Sequence, residues 1–182
     1  MNRIEKLIEE MCPEGVPYLE LSEVTSLSAG DRVTKANMHP NGQYQVYGGG
    51  TAPTGHLDNW NRENCLIIAR AGSAGFVNFV ERKFWATDVC FVAEEKPDKA
   101  LIRFVFFWIK AHQYELMRQT YGGSLPKLSK TYLWKHPVPI PPLEIQKEIV
   151  NILDKFTELE AELEAELEAE LEAREKQYEE VR

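Results

Sequence analysis

The sequence predicts an α+β protein: a globular part of mixed α/β structure over residues 1–141, then a single long helix over residues 142–182. Three observations predict it. Short β-prone runs separated by Gly, Asn and Pro fill residues 18–95, the pattern of strands joined by tight turns. Leu101–Met117 is apolar almost throughout and too long for one strand, so it reads as a buried helix. Beyond Pro142 there is no Gly or Pro, and Leu, Glu, Ala, Lys and Gln dominate, which sustains helix.

The elements follow in chain order. Ile4, Leu7, Ile8 and Met11 recur at helical spacing and mark a short amphipathic helix over 2–11, ended by Pro13, Gly15 and Pro17. The strand-like runs are Tyr44–Tyr47, Cys65–Ala69, Phe76–Val80 and Asp88–Val92. Asp98 is placed to cap a helix over 99–119 that is apolar nearly all round, hence a central core helix. Tyr121-Gly122-Gly123-Ser124 breaks it, and a short helix is expected near 129–135. Pro137, Pro139, Pro141 and Pro142 form the boundary, and Pro142 suits the first turn of the last helix.

That last helix is a rod of roughly 58 Å at 1.5 Å per residue. Ile145, Ile149, Ile152, Phe156, Leu159, Leu163, Leu167 and Leu171 step along it by three or four residues. A rod this long cannot bury such a stripe against a small globular part alone, so it needs a second helix. Residues 158–173 are four tandem copies of Glu-Leu-Glu-Ala. Each copy turns about 400°, so the leucines drift about 40° per copy, which favours straight or locally right-handed packing over a heptad seam. The repeated Glu pairs repel by about 0.2–0.5 kcal/mol each. The acidic outer face is either simply solvated or meets a basic partner.

The net charge of −8 is unevenly spread. Residues 1–141 hold 16 Lys and Arg against 15 Asp and Glu, whereas residues 142–182 hold 5 against 14. Within the first part, Arg103, Lys110, Arg118, Lys127, Lys130 and Lys135 face the single acid Glu115 between residues 100 and 136. A locally basic globular part beside an acidic arm is compatible with nucleic-acid binding. Cys12, Cys65 and Cys90 form no C-x-x-C pair, which argues against a disulfide framework and fits a reducing cytoplasm. Cys65 and Cys90 read as core thiols. No run of 18 apolar residues suggests a membrane span, and the N-terminus does not read as a signal peptide.

Catalytic patterns are absent from the sequence. It has no phosphate-binding G-x-x-x-x-G-K-[ST], no G-x-G-x-x-G and no G-x-S-x-G. It also lacks the N-P-P-[YF] or D-P-P-Y run that amino-methyltransferases use against a flipped base. His39, His56, His112 and His136 lack metal-ligand spacing. Glu94-Glu95-Lys96 faintly resembles a nuclease signature but reads better as a polar loop beside Pro97. What remains is a set of four glycine-rich or basic loops: Tyr44–Gly50, Arg70–Gly75, Lys83–Asp88 and Gly122–Lys130. Glycine lets a backbone approach a phosphate, and Arg, Lys and Ser contact phosphates or base edges.

These loops, together with the rod, resemble the specificity subunits of type I restriction–modification systems. Val16–Gly30 resembles the opening of their target recognition domain, while Tyr44–Gly50, Leu66–Gly75 and Phe84–Val92 resemble its middle. Gly122–Leu153 resembles its end, most specifically in Pro139-Ile140-Pro141-Pro142-Leu143-Glu144-Ile145-Gln146. The tandem repeat is similar to the family's spacer repeats. The resemblance implies a non-catalytic subunit whose recognition domain reads one part of a two-part DNA target. It also implies a long helix packed antiparallel on a second one, so that the rod forms an antiparallel coiled coil and sets the distance between two readers. Modification subunits, which bind S-adenosylmethionine and methylate adenine, would dock on it, and restriction subunits would add translocation and cleavage. No cofactor is expected in this chain.

Family subunits typically carry two recognition domains and two helices, and this sequence has one of each. It is therefore expected to act as a half-subunit that homodimerises and reads an interrupted palindrome. The residues expected at DNA are Arg32, Lys35, Tyr47, Arg70, Ser73, Lys83, Trp85, Lys127 and Lys130, with core packing as the competing role for Tyr47 and Trp85. Those expected at the dimer interface are Ile149, Ile152, Phe156, Leu159, Leu163 and Leu167. Two competing readings are a nuclease with an unrecognised acid cluster and a coiled-coil adaptor that never binds DNA.

Overall fold

The computed structural model describes residues 3–96 and 98–180. The expected helix start at Asn2, Pro97 beside the Glu94–Lys96 run, and the last two positions of the expected 142–182 helix lie outside the described residues.

The centre is a four-stranded antiparallel sheet ordered β2 (Thr25–Ala29), β8 (Cys90–Glu95), β5 (Cys65–Ala69), β6 (Val77–Val80). Side chains alternate across a strand, and β5 is buried at every position. Leu66 and Ile68 therefore enter one core with Phe91, Ala93, Val77 and the apolar face of α3 (Ile102–Ala111). Cys65 and Ile67 enter a second core with Val80, Phe84, Ala86 and Val92. That second core lies toward a smaller sheet of β4 (Gly55–Leu57), β3 (Tyr44–Tyr47) and β7 (Trp85–Ala86), in which β3 and β7 run parallel. A fully apolar β5 thus follows from burial on both faces.

Two small pairings complete the body: β1 (Tyr18–Glu20) with β11 (Pro137–Pro139), and β9 (Thr120–Tyr121) with β10 (Lys127–Leu128). The helices α1 (Arg3–Met11), α2 (Leu21–Val24) and α5 (Lys130–Trp134) are short. Ser129 caps α5 by accepting a hydrogen bond from the Tyr132 N–H.

The strand expected over Asp88–Val92 runs instead from Cys90 to Glu95, because Asp88 and Val89 turn the chain and β2 pairs with Glu94 and Glu95. The helix expected over 99–119 divides at His112 into α3 and α4 (Gln113–Arg118). The His112 N–H is shared between the Trp108 and Ile109 carbonyls, and its ring Nδ1 lies 2.8 Å from the Trp108 oxygen. This tightening of the last turn ends α3. Nor does Asp98, held at φ 63°, cap it. The free N–H of Ile102 donates to the Glu95 carboxylate at 2.9 Å, and that of Leu101 to the Gln146 side chain at 3.0 Å. One cap comes from the end of the preceding strand and the other from α6, far along the chain.

The final helix, α6 (Leu143–Glu180), has 38 residues. Its first turns are anchored: Ile145 and Gln146 are wholly buried, and Ile149 packs on the first core. Arg103 holds Asp154 at 2.7 Å and Glu81 at 3.7 Å. Beyond that point the stripe is open, with Phe156, Leu159, Leu163, Leu167 and Leu171 each at least half exposed. No helix among the described residues is long and apolar enough to cross a membrane.

Candidate nucleic-acid interface

Antiparallel pairing puts the end of β5 beside the start of β8 through Ala69–Cys90, and the end of β2 on the other side of that same start through Ala29–Phe91. β3 and β7 deliver their ends to the same edge: the Thr87 N–H donates to the Tyr47 carbonyl at 3.0 Å, and the Cys90 N–H to Thr87 at 2.9 Å. The loops that the sequence sets apart are consequently sewn to one another. Ser73 N–H donates to Gly49 at 2.7 Å, Arg70 N–H to Val89 at 2.8 Å, and Leu128 N–H to Arg70 at 2.9 Å. Ala71 also bridges Lys127.

The glycines make this junction possible. A Cβ on Gly49 would lie under 3.0 Å from the Ala71 oxygen, and one on Gly30 equally close to Ala86. Gly72 adopts φ +79°, and a Cβ there would lie 2.8 Å from the Gly49 oxygen. Glycine at these sites therefore serves the approach of loop to loop, where the sequence suggested approach to phosphate.

Two hollows flank the junction. The first, of about 230 Å³, is lined by Arg70, Lys130, Tyr121, Trp134, Phe91 and Ser28, with others. The Arg70 guanidinium lies 5.6 Å from the Phe91 ring centre, and the Lys130 ammonium 5.3 Å from that of Trp134. Cations over ring faces keep their charge while holding a fixed place. Lys127 and Ser73 stand in the loops beside it, Lys127 exposed and Ser73 half-buried. The second hollow, of about 430 Å³, has Arg32, Thr34, Asn37, Asn59 and Trp85 among its lining. The Trp85 indole N–H donates to the Asp31 carbonyl at 3.1 Å, which fixes the ring. Lys35 is exposed and opens the adjoining 3-10 turn, Lys35–Asn37.

Seven of the nine expected DNA residues thus line or flank these two hollows. Lys83 lines neither: it stands over the Trp60 ring at 4.4 Å. Tyr47 packs edge-on against Phe84 at 5.4 Å, and its hydroxyl donates to Gln45. Its ring belongs to the second core. The expectation overlooked Tyr121, 60% exposed at the rim of the first hollow, although an aromatic beside a Gly-Gly turn in a basic segment marked it.

Some apparent charge is consumed internally. Arg103 is neutralised by Asp154 and Glu81, and Lys110 donates to the Val77 carbonyl and the Gln113 side chain. Burial lowers the Lys110 pKa. The Glu94-Glu95-Lys96 run is structural: Glu95 caps α3, and the Lys96 ammonium donates to the Ser22 carbonyl at 2.7 Å. Burial pushes the Cys65 and Cys90 thiols up to about 12, which suits inert core thiols. No group of three or more His, Cys, Asp or Glu among the described residues could hold a metal.

Residues 13–173 match the type I restriction modification DNA specificity domain. A Haemophilus influenzae protein assigned as a type I restriction enzyme specificity subunit is 32% identical over 161 residues, covering 86% of this chain. The MpnII type I specificity subunit of Mycoplasma pneumoniae is 28% identical over 84% of this chain. The chain spans 40% and 48% of these two relatives. In fold it is similar to the crystal structure of a type I restriction–modification S subunit from M. genitalium, with TM-score 0.73, 20% identity, and coverage of 79% of this chain and 40% of that one. The HsdS subunit of Thermoanaerobacter tengcongensis gives TM-score 0.64 at 17% identity, over 88% of this chain and 44% of the other. With a match across most of its length and a fold to agree, the chain belongs to the type I restriction–modification DNA specificity family.

Proposed function

We propose that this chain is a non-catalytic reader of duplex DNA. Residues 1–141 would recognise one half of an interrupted palindrome, and residues 142–182 would hold two copies apart through an antiparallel coiled coil. Methyltransferase subunits carrying S-adenosylmethionine would dock on the dimer and modify adenine, joined by restriction subunits where a system has them. The observation that carries this reading is the junction of loops at one edge of the sheets, with Arg70, Lys127 and Lys130 gathered beside it. A surface of fixed cations and aromatic edges suits phosphate positioning and base contact together.

The exposed stripe supports the dimer. Phe156, Leu159, Leu163 and Leu167 are 50–60% exposed, and a second helix would remove them from water. The structure supports neither competing reading: Glu95 and Lys96 have internal partners, and a mere adaptor would need no cationic loop surface. Co-expression with a modification subunit tests the proposal. Mapping of methylated adenines is expected to return a two-part target with identical inverted halves. An undivided or asymmetric target, or no methylation dependent on this chain, overturns it.

A further inference from the structure

The chain carries no Asp or Glu between Glu115 and Glu144. In this acid-free segment lies the β9–β10 hairpin, with Tyr121 and Lys127 opposite each other. Its foot is fixed: Leu128 is buried, and the Thr120 hydroxyl donates to the Met117 carbonyl at 2.9 Å. Its tip is a narrow turn. There the Leu125 N–H donates to the Gly122 carbonyl at 3.3 Å, and Gly122 and Gly123 adopt φ +101° and +57°. Every residue from Tyr121 to Leu125 is exposed, as are Arg118, Lys127 and Lys130. Leu125, 53% exposed, is the one large apolar side chain of the turn. Held in water at the end of a cationic ribbon, it gains burial only from a partner.

We propose that this ribbon enters the major groove of the target half-site and that Leu125 packs there on the C5 methyl group of a thymine. The inference rests on the DNA reading proposed above and names the base edge that this part of the surface reads. Two antiparallel strands lie about 4.8 Å apart, and a major groove about 12 Å wide admits such a ribbon. The first hollow sits at the ribbon's foot, with Tyr121, Leu128 and Lys130 in its lining. A cation stands over each of its Phe91 and Trp134 rings, which suits the hollow to a phosphate rather than to a stacked base. Base reading then falls to the tip. Gly122 and Gly123 offer no side chain, and the Ser124 hydroxyl both donates and accepts, so it separates bases weakly. Leu125 forms no hydrogen bond with its side chain. It matches a thymine methyl group and would leave the amino group of a cytosine without a partner.

Replacing each thymine of the mapped target in turn by deoxyuridine, which removes only the methyl group, tests this. Affinities are measured for the full chain assembled with its modification subunit. The expected result is one position in each half-site where the replacement weakens binding about fourfold, the worth of one buried methyl group. Leu125→Ala is expected to lose that sensitivity and to melt as the unaltered chain does, because the side chain is exposed. Leu125→Met, still apolar, is expected to keep it. A deoxyuridine profile that Leu125→Ala leaves unchanged at every position overturns the inference and spares the DNA reading. The same unchanged profile with weaker capture of the modification subunit overturns it in favour of a protein contact at the hairpin. An assembly that binds no DNA site specifically overturns both.

Discussion

Arg70 and Lys130 each combine a ring contact with exposure to solvent, which is how a cation is aimed at a partner without losing its charge. In the complex proposed above, Arg70→Ala and Lys130→Ala should each reduce DNA affinity by about 1–3 kcal/mol. If they hold phosphates, plots of log affinity against log salt lose about one unit of slope per variant. Unchanged affinity across both variants would remove the first hollow from the interface. The glycines separate two roles at the same scale. Gly49→Ala drives a Cβ into the Ala71 carbonyl and should cost about 1–3 kcal/mol in thermal unfolding. Gly50→Ala meets nothing nearer than 3.7 Å and should be close to neutral.

At the scale of elements, α5 and β11 meet at His136, which is buried with its Nε2 unpartnered. Burial, and then the nearby His112, lower its pKa from 6.5, against a smaller opposing pull from Glu115. The fold thus accommodates the neutral ring, and below about pH 6.5 the unfolded chain binds more protons than the folded one. Stability is full above that pH and falls as acid is added. Melting temperatures measured from pH 7.5 to 5.5 should decline, and His136→Phe should flatten the decline. In the dimer proposed above, the distal half of α6 would rest on a different contact. Leu163→Asp places a charge in the centre of the stripe and should raise the dimer dissociation constant at least 100-fold, by roughly 3 kcal/mol or more. Melting of the sheet body should not change, because Leu163 touches none of it.

At the scale of the whole molecule, the function proposed above makes α6 a ruler. Each Glu-Leu-Glu-Ala copy contributes about 6 Å of rise, near two base pairs of duplex. Site selection with a three-copy chain should return the same half-sites with a gap shorter by about two base pairs. An unchanged gap would mean that the rod does not set the distance between readers.

Much of this was legible in the residues. The buried β5 follows from its unbroken apolar run, α5 from Ser129 before Lys130, and α6 from the long stretch free of Gly and Pro after Pro142. Those are local signals: propensity, capping and periodicity act within a few residues. What only the tertiary structure decided depends on contacts between distant positions. Gln146, 45 residues beyond Leu101, joins Glu95 in starting α3 where Asp98 was expected to. Strand pairing carried β8 on through Glu94 and Glu95. Loops that are weak signals singly became one surface because antiparallel pairing gathers strand ends at a shared edge. The sequence by itself determined which residues carry charge and which segments bury apolar area; the choice of partners across the fold belongs to packing, in which each contact joins two places that no local window sees together.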